Sequence, residues 1–444
     1  MILKTFKLGG VHPPENKLSS GVAIEKLPLP ARIFVPVSQH LGTPAKIVVS
    51  RGDEVKTGQL LAASAGFISA NIHSPATGKV FKIDEVPDQS GYKRTAVFID
   101  TKEDIWAEGI DTSTDIVREI KLSKEEIIQR IADMGIVGLG GATFPTHVKM
   151  MVPDGKHAEL LIINGVECEP YLTSDHRLML EHGEEMLIGT SILMKALGVK
   201  KAMIGIEANK PDAIDHLTGL AKQFEGITVH ALKVKYPQGG EKQLIQVLTG
   251  REVPSGKLPI ETGCVVNNVG TAFAVYEAVQ KNKPLIERIV TVTGNAALKP
   301  SNFRVRIGTP VQHLIDHAGG MPANLGKLVG GGPMMGKALV SPEVPIVKGS
   351  SGILLISDST AKRVPMKHCI RCSRCVSACP MGLEPYLLQQ LVEHEMWAEA
   401  ESNRIMDCIE CGSCQFICPS GRPLLDFIRL GKSTVGKIIR TRKN

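Results

Sequence analysis

Eight of the chain's ten cysteines stand in two copies of one pattern near the C-terminus. Cys369, Cys372, Cys375 and Cys379 precede Pro380, and Cys408, Cys411, Cys414 and Cys418 precede Pro419. Each copy reads C-x-x-C-x-x-C-x-x-x-C-P, the spacing with which bacterial-type proteins ligate a [4Fe–4S] cluster. Thiolates so spaced let three sulfurs of one loop reach three irons of one cube, while the fourth ligand comes from elsewhere. In two-cluster ferredoxins the cysteine before proline serves the other cluster. This rule groups Cys369, Cys372, Cys375 and Cys418 around cluster 1, and Cys408, Cys411, Cys414 and Cys379 around cluster 2. Zinc sites use paired C-x-x-C knuckles, not three cysteines in a row followed by Cys-Pro. A disulfide framework belongs to small secreted domains, not to a chain of 444 residues. The chemistry expected is the movement of single electrons.

The stretch between the copies must position both loops. Leu387, Leu388, Leu391, Val392 and Trp397 recur there with a helical period, so a C-terminal α-helical two-cluster ferredoxin domain is expected over 359–431 rather than a compact βαβ one. A basic tail, 432–444, follows, with Lys432, Lys437, Arg440, Arg442 and Lys443 among Val435, Ile438 and Ile439. It can lie on a membrane surface or pack as a last helix on the cluster module with its charges solvated. The second reading is favoured, since Gly431 and Gly436 weaken the helix.

A second chemical signal is the loop Gly135-Ile136-Val137-Gly138-Leu139-Gly140-Gly141-Ala142-Thr143-Phe144-Pro145. Clustered glycines let backbone N–H groups approach a phosphate closely. The loop follows a helical pattern rather than a strand, so the usual Rossmann context is missing. Alone it leaves a phosphate site and a plain tight turn both open.

Length implies about three domains, and 43% hydrophobic residues supply sizeable cores. The net charge is +7 but dispersed, and aromatics are only 4%, which argues against nucleic-acid binding. No stretch approaches the roughly 20 apolar residues of a membrane span, and Met1-Ile2-Leu3-Lys4 lacks a signal-peptide core. The fold class expected is multidomain α/β. Residues 1–30 read as an extended N-terminal arm punctuated by Gly9-Gly10-Val11-His12-Pro13-Pro14. Residues 31–111 read as short strands broken by turns and resemble the lipoyl-like barrel-sandwich fold, with Gly66-Phe67-Ile68-Ser69 where a carrier lysine would stand. Residues 112–284 alternate helices and strands, a Rossmann-like α/β domain. Ser123-Lys124-Glu125-Glu126 opens a helix as a capping box, and Leu160–Ile163 and Ala202–Ile206 read as buried parallel strands. Residues 285–358 return to strands with one helix at Val311–His317, a β-grasp pattern. Cys168 and Cys264 have no spacing partner and read as buried small hydrophobes.

Along its whole length the chain resembles one family, the C subunits of Rnf complexes, membrane-bound ferredoxin:NAD oxidoreductases that pump ions. The stretches that carry this are Gly10–Lys17, Gly138–Lys149, Asn164–Asp175, Tyr236–Gly250, Asn267–Thr271, Gly330–Gly336 and the two cysteine runs. The third domain is accordingly expected to be SLBB-like. The central part is also similar to the NADH-oxidising flavoprotein subunit of complex I, which implies FMN beside an NAD(H) pocket. By that resemblance the cofactor-binding residues are Gly138, Gly140, Gly141, Ala142, Phe144 and Lys149 in and after the glycine loop, Asn164, Glu167 and Glu169 in an acidic segment, Gly239 and Glu241 at a turn, and Asn267, Asn268 and Thr271. Amides and Lys149 would serve phosphates, Phe144 would stack, the asparagines would meet the isoalloxazine edge, and carboxylates would bind ribose hydroxyls. Asn267-Asn268 can equally cap the helix that begins near Thr271. The chain departs from the complex I pattern where Gly240 replaces one of two paired glutamates.

NAD(H) exchanges two electrons as hydride whereas a [4Fe–4S] cluster takes one, and a flavin converts between them. A nucleotide site upstream of two clusters therefore implies FMN on chemical grounds as well. The expected function is that of an NAD(H)-interacting electron-transfer subunit, an oxidoreductase component that positions redox centres without a general acid/base dyad. The resemblance implies other subunits of a membrane complex as partners, ferredoxin reached through that complex, and a peripheral place on the cytoplasmic face of the membrane. A cobalamin reductase of the same architecture and a non-enzymatic electron-relay scaffold are the alternatives. Nothing after Cys418 can accept an electron, so the far end of the wire must be a partner protein.

Overall fold

The computed structural model describes residues 3–443. Short strands with alternating burial build the first domain. Arg32–Pro36, Lys93–Thr101, Gly78–Pro87 and Glu54–Val55 pair antiparallel in that order, and Lys46–Ile47, Leu60–Ala63 and Ile72–His73 form the facing sheet. Ile33, Val35, Leu61, Val80, Val97 and Ile99 point between the two sheets and are fully buried, the inward set that a period of two dictates. This is the expected barrel-sandwich. At its tip Gly66, Phe67 and Ile68 are exposed, Phe67 at 70%, while Ser69 is buried.

The central domain is built on a parallel sheet of Ile227–Leu232, Ala202–Glu207, Leu160–Asn164 and Cys264–Asn268, in that spatial order. Chain order along the sheet is therefore third, second, first, fourth. It reverses between Leu160–Asn164 and Cys264–Asn268, and a doubly wound sheet opens its ligand crevice at the C-terminal ends of the strands where the order reverses. Asn164 and Asn268 are register partners at that spot. The helices Gly183–Leu197 and Val269–Gln280 cover one face. They approach so closely at Gly189 that a Cβ there would lie 1.9 Å from the Ala272 carbonyl oxygen. The expected capping box is present: Glu126 N–H donates to Ser123 Oγ and Ser123 N–H to Glu126 Oε2, at 3.3 and 2.7 Å.

A six-stranded sheet follows, ordered Ile24–Lys26, Ser301–Arg306, Glu287–Thr293, Gly352–Ser357, Leu325–Gly330, Lys337–Ala338. Its helix, Val311–His317, buries Val311, Leu314 and Ile315 on it. The edge strand Ile24–Lys26 belongs to the N-terminal arm, which is extended as expected but is not a free appendage. Arg304 and Arg306 of this sheet surround Glu287 together with Lys283. Burial alone would raise the Glu287 pKa, but these three cations hold its carboxyl well below the usual range. Arg306 also reaches Asp104 and the Pro75 carbonyl of the barrel at 2.6 Å, locking the two domains.

The cysteine runs sit in an α-helical module made of the helices Arg374–Ser377, Pro385–Glu393, Trp397–Ser402, Ser413–Phe416 and Leu424–Lys443. The last helix corrects the expected segmentation. It runs unbroken through Gly431 and Gly436 and across the boundary placed at 431. Gly431 is there for packing: a Cβ would lie 2.2 Å from Val392 Cγ2. Leu424, Ile428 and Val435 are buried in the module while Lys437, Arg440 and Arg442 keep to its outer side, the arrangement of a packed last helix. Among the described residues no helix is long and apolar enough to cross a membrane.

Candidate functional site

The glycine loop closes on itself: Gly138 N–H donates to the Phe144 carbonyl at 2.9 Å, and Thr143 takes a left-handed φ of 53°. It is held down from below. Leu139 N–H donates to Thr271 Oγ1 at 2.9 Å, and Arg288 donates to the Leu139 carbonyl at 3.3 Å. Its crest, Gly140, Gly141 and Ala142, is exposed, and among the described residues no acceptor takes the N–H groups of these three. A Cβ at Gly140 would meet the Asn268 side chain at 2.9 Å, so only glycine lets the crest rest on the end of the strand Cys264–Asn268. Lys149, on the short helix Thr146–Met150 that follows, reaches the Val266 carbonyl at 3.0 Å and Glu241 at 3.4 Å. The half-buried Phe144 stands between crest and helix.

The remaining residues expected at the site divide into those with free groups and those already engaged. Asn267 is 4% exposed, and neither its side-chain nitrogen nor its oxygen has a partner in the protein. Asn268 is fully engaged: Oδ1 accepts from Gly270 N–H at 2.8 Å, capping Val269–Gln280, and Nδ2 donates to Asp175 at 2.7 Å. Asn164 donates to the Gly239 carbonyl at 2.8 Å and accepts from Val166 N–H. Thr271 anchors the glycine loop and is itself fully buried. Glu167 accepts from the N–H groups of Asp175 and His176 at 2.7 and 3.1 Å and so caps the helix Ser174–Glu181; its carboxylate is spent inside the protein rather than turned to a ribose. Glu169 turns the other way and accepts from Met334 and Met335 N–H at 3.2 and 2.8 Å. Burial pushes its pKa up to about 7 against the pull of those amides and of Lys17. Cys264 is a buried small residue as expected, whereas Cys168 is half-buried and accepts weakly from Gly239 N–H.

An unpaired buried amide is costly in a protein interior, so Asn267 marks a place for a ligand offering both a donor and an acceptor. The edge of a flavin ring offers both, and the free crest amides suit its phosphate. The residues therefore fit FMN. Lys17, Asp175, Arg288, Tyr236 and Gln243 take part without having been singled out. Lys17 donates to the carbonyls of Glu167, Glu169 and Leu172 at 2.8, 2.9 and 2.7 Å, and a lone lysine in an irregular arm carries no periodic signal that would reveal this.

The cysteines gather across the two copies. Cys379 lines one cavity with Cys408, Cys411 and Cys414. Cys418 stands beside Cys375. Both loops carry left-handed residues at matching places, Arg371 and Ser373 in the first and Glu410 and Gly412 in the second. Such a backbone is strained for side-chain-bearing residues, and here it curls each loop around its cysteines. The quartets differ in setting. Cys411 and Cys414 are buried, whereas Cys369 and Cys372 are exposed. The buried quartet is walled by the central domain and the arm: Tyr236 OH donates to the Cys411 carbonyl at 2.7 Å, Gln243 to the Pro380 carbonyl at 3.4 Å, and the arm's Gly10 N–H to the Ala378 carbonyl at 2.9 Å.

Comparison with known proteins finds four family models along the chain, of the four fold types expected. Residues 4–104 match the RnfC barrel sandwich hybrid domain, 131–277 the Nuo51 FMN-binding domain, 289–338 the SLBB domain and 361–419 the 4Fe-4S dicluster domain. The C subunit of the proton-translocating ferredoxin:NAD(+) oxidoreductase complex of Clostridium ljungdahlii is 47% identical over 437 residues, covering 97% of this chain and 94% of that one. The C subunit of the Na(+)-translocating complex of Acetobacterium woodii is 42% identical, covering 97% of each. The C subunit of the ion-translocating oxidoreductase complex of Rhodobacter capsulatus is 43% identical over 87% of this chain and 75% of its own length. The cofactor set is thus FMN with two [4Fe–4S] clusters, and the chain belongs to the family of C subunits of ion-translocating ferredoxin:NAD oxidoreductase complexes, the Rnf family.

Proposed function

We propose that this chain is the subunit at which an ion-translocating ferredoxin:NAD⁺ oxidoreductase meets NAD(H), and that its interior orders three redox sites from the sheet crevice to the outer cysteine quartet. The carrying observation is the seating of the buried quartet against the central domain through Tyr236 and Gln243 and against the arm through Gly10, while Cys369 and Cys372 of the other quartet are exposed. Bound FMN supplies the conversion between hydride and single-electron chemistry, and the clusters supply one-electron transfer.

The chain's own residues do the positioning. The crest amides of Gly140, Gly141 and Ala142, with Lys149 beside them, hold phosphate; Asn267 orients the flavin edge. Thr271, Asn268, Glu167 and Arg288 keep loop, strand and helix in register beneath it. Cys408, Cys411, Cys414 and Cys379 hold the inner cluster, and Cys369, Cys372, Cys375 and Cys418 the outer one. Place on the cytoplasmic face follows from the need to meet NAD(H) and ferredoxin.

The test is anaerobic reconstitution of the full chain with FMN, iron and sulfide. Stoichiometric FMN, with NADH oxidation by ferricyanide, is the expected result. Clusters without FMN binding or NADH oxidation would reduce the protein to a relay scaffold, and efficient corrinoid reduction by the isolated chain would move it to the cobalamin reductases.

A further inference from the structure

The two cysteine loops are one device used twice, and only one of the two has found its seat. Ile409, between Cys408 and Cys411, is half-buried against the cluster of Val11, Tyr236, Ala378 and Cys411, where the arm and the central domain meet the module. A Cβ at Gly412 would lie 2.7 Å from the Met334 carbonyl oxygen, so contact there is close. The equivalent residue of the first loop, Ile370, stands between Cys369 and Cys372 and is followed by the same left-handed turn, but it is 67% exposed. Val364 and Met366 beside it are 67% and 60% exposed. Their segment is no loose end: Lys367 N–H donates to the Ser420 carbonyl at 2.9 Å, just past Cys418, so it wraps the outer quartet.

Charge separates the copies as well. Glu410 in the second loop is paired with Arg429 and Lys432, whereas Arg371 holds the same place in the first. From 359 to 383 the chain has five lysines and arginines and no aspartate or glutamate. Lys362 and Arg363 are paired with Asp358 and Asp426, but Lys367, Arg371 and Arg374 have no carboxylate partner among the described residues. The result is an exposed apolar centre ringed by cations over two exposed cluster cysteines.

We infer that Val364–Arg374 is the docking face for a protein domain carrying a one-electron centre, with an apolar spot to receive Ile370 and an acidic rim to meet Lys367, Arg371 and Arg374. The inference rests on the proposed role of the quartets as cluster sites. A protein is favoured over an anionic membrane because the patch is centred on cluster ligands, and a lipid surface takes no electron. Contacts of redox pairs are small and steered by charge, so exchange across this face weakens as salt screens it.

The experiment uses the assembled membrane complex with Ile370→Ala and Lys367→Glu/Arg371→Glu in this subunit. Glu410 adopts the same left-handed turn, so Arg371→Glu is conformationally benign. Expected are unchanged cluster signals, NADH:ferricyanide activity within about twofold, ferredoxin-driven NAD⁺ reduction lowered about tenfold or more, and a flattened salt dependence. Carbodiimide treatment should join Lys367 to a carboxylate of another subunit, and the variant should lose that link. Unchanged turnover and salt dependence in both variants would overturn the inference. So would patch-dependent binding of the isolated chain to vesicles of phosphatidylcholine with phosphatidylserine and no cross-link in the complex. Absence of NADH:ferricyanide activity in the unmodified complex would instead count against the flavin site.

Discussion

Asn267 and Asn268 end the same strand, yet the structure gives them opposite duties. Asn267 has nothing to bond within the protein, so Asn267→Ala is expected to leave the melting temperature nearly unchanged and to weaken FMN binding by about 1–3 kcal/mol, roughly 5- to 150-fold. Asn268→Ala removes a helix cap, which costs about 1–2 kcal/mol of stability, and strands the Asp175 carboxyl. Fluorescence titration of FMN and thermal melts separate the two, and wild-type FMN affinity in Asn267→Ala would refute the assignment. Glu169 gives a pH test. Its folded pKa is raised to about 7 by burial, whereas the unfolded carboxyl titrates near 4.3. Between these values the unfolded chain has lost a proton that the folded one keeps. Stability from this group is therefore complete below the window and declines as pH rises through it. Glu169→Gln removes the titration while keeping an oxygen for one of the two amides; it should lower stability at acid pH and flatten that decline, read as urea midpoints from about pH 4.5 to 8. The residue types at the site were legible in the sequence, because glycine loop, asparagine pair and cysteine runs announce chemistry by spacing. Their division of labour was not. Whether Glu167 meets a ribose or caps Ser174–Glu181 depends on a left-handed turn at φ 44°, which a glutamate does not announce.

The N-terminal arm is the element that sequence described least completely. Its glycines and prolines marked it as extended, but extended segments can go anywhere, and its partners lie hundreds of residues away. It bridges Lys4 to Leu232 and Val11 to Tyr236, and it adds Ile24–Lys26 as an edge strand to Ser301–Arg306. Gly9 has a φ of 67°, and a Cβ there would lie 2.5 Å from the Cys379 carbonyl carbon. Gly9→Ala therefore faces both backbone strain and a backbone clash, and it should cost about 1–3 kcal/mol. The loss should fall at the joint between arm and inner quartet, seen as faster hydrogen exchange around Ala378 with the barrel unaffected. Uniform exchange protection would show that the arm is not a strut. The domains themselves were readable because each has its own periodicity: two in the barrel strands, apolar runs in the parallel sheet, helical spacing in the cysteine module. The last helix was readable as one packed on the module, but not its length or the role of Gly431. Gly431 looks like a weak point in a helix, and only the approach of Val392 shows it to be a contact point.

At the scale of the whole molecule the proposed path runs from the solvent-open crevice of the central domain to a walled cysteine quartet and on to an exposed one. The helical module is a single body with one apolar core, Leu388, Val392, Ala400, Ile405, Leu424 and Ile428 among it, and the proposed ligands cross between its two copies. Cys379 leaves the first loop to join Cys408, Cys411 and Cys414, and Cys418 leaves the second to stand beside Cys375. Removing one crossing cysteine therefore damages the cluster of the opposite copy. Cys418→Ala should abolish or convert the electron paramagnetic resonance signal of the outer cluster, the one held by Cys369, Cys372 and Cys375. Cys379→Ala should do the same to the inner one. The functional consequences differ by position. The outer variant should keep NADH:ferricyanide activity, because the crevice and inner quartet are intact, and lose ferredoxin-linked turnover in the complex. The inner variant removes a ligand at the seam where Gly9, Gly10 and Tyr236 meet the backbone of Cys379, Ala378 and Cys411, and loss of the cluster there should lower thermal stability as well as turnover. If Cys418→Ala instead removed the inner signal, the ligands would not cross, and the order of sites from crevice to outer face would have to be redrawn.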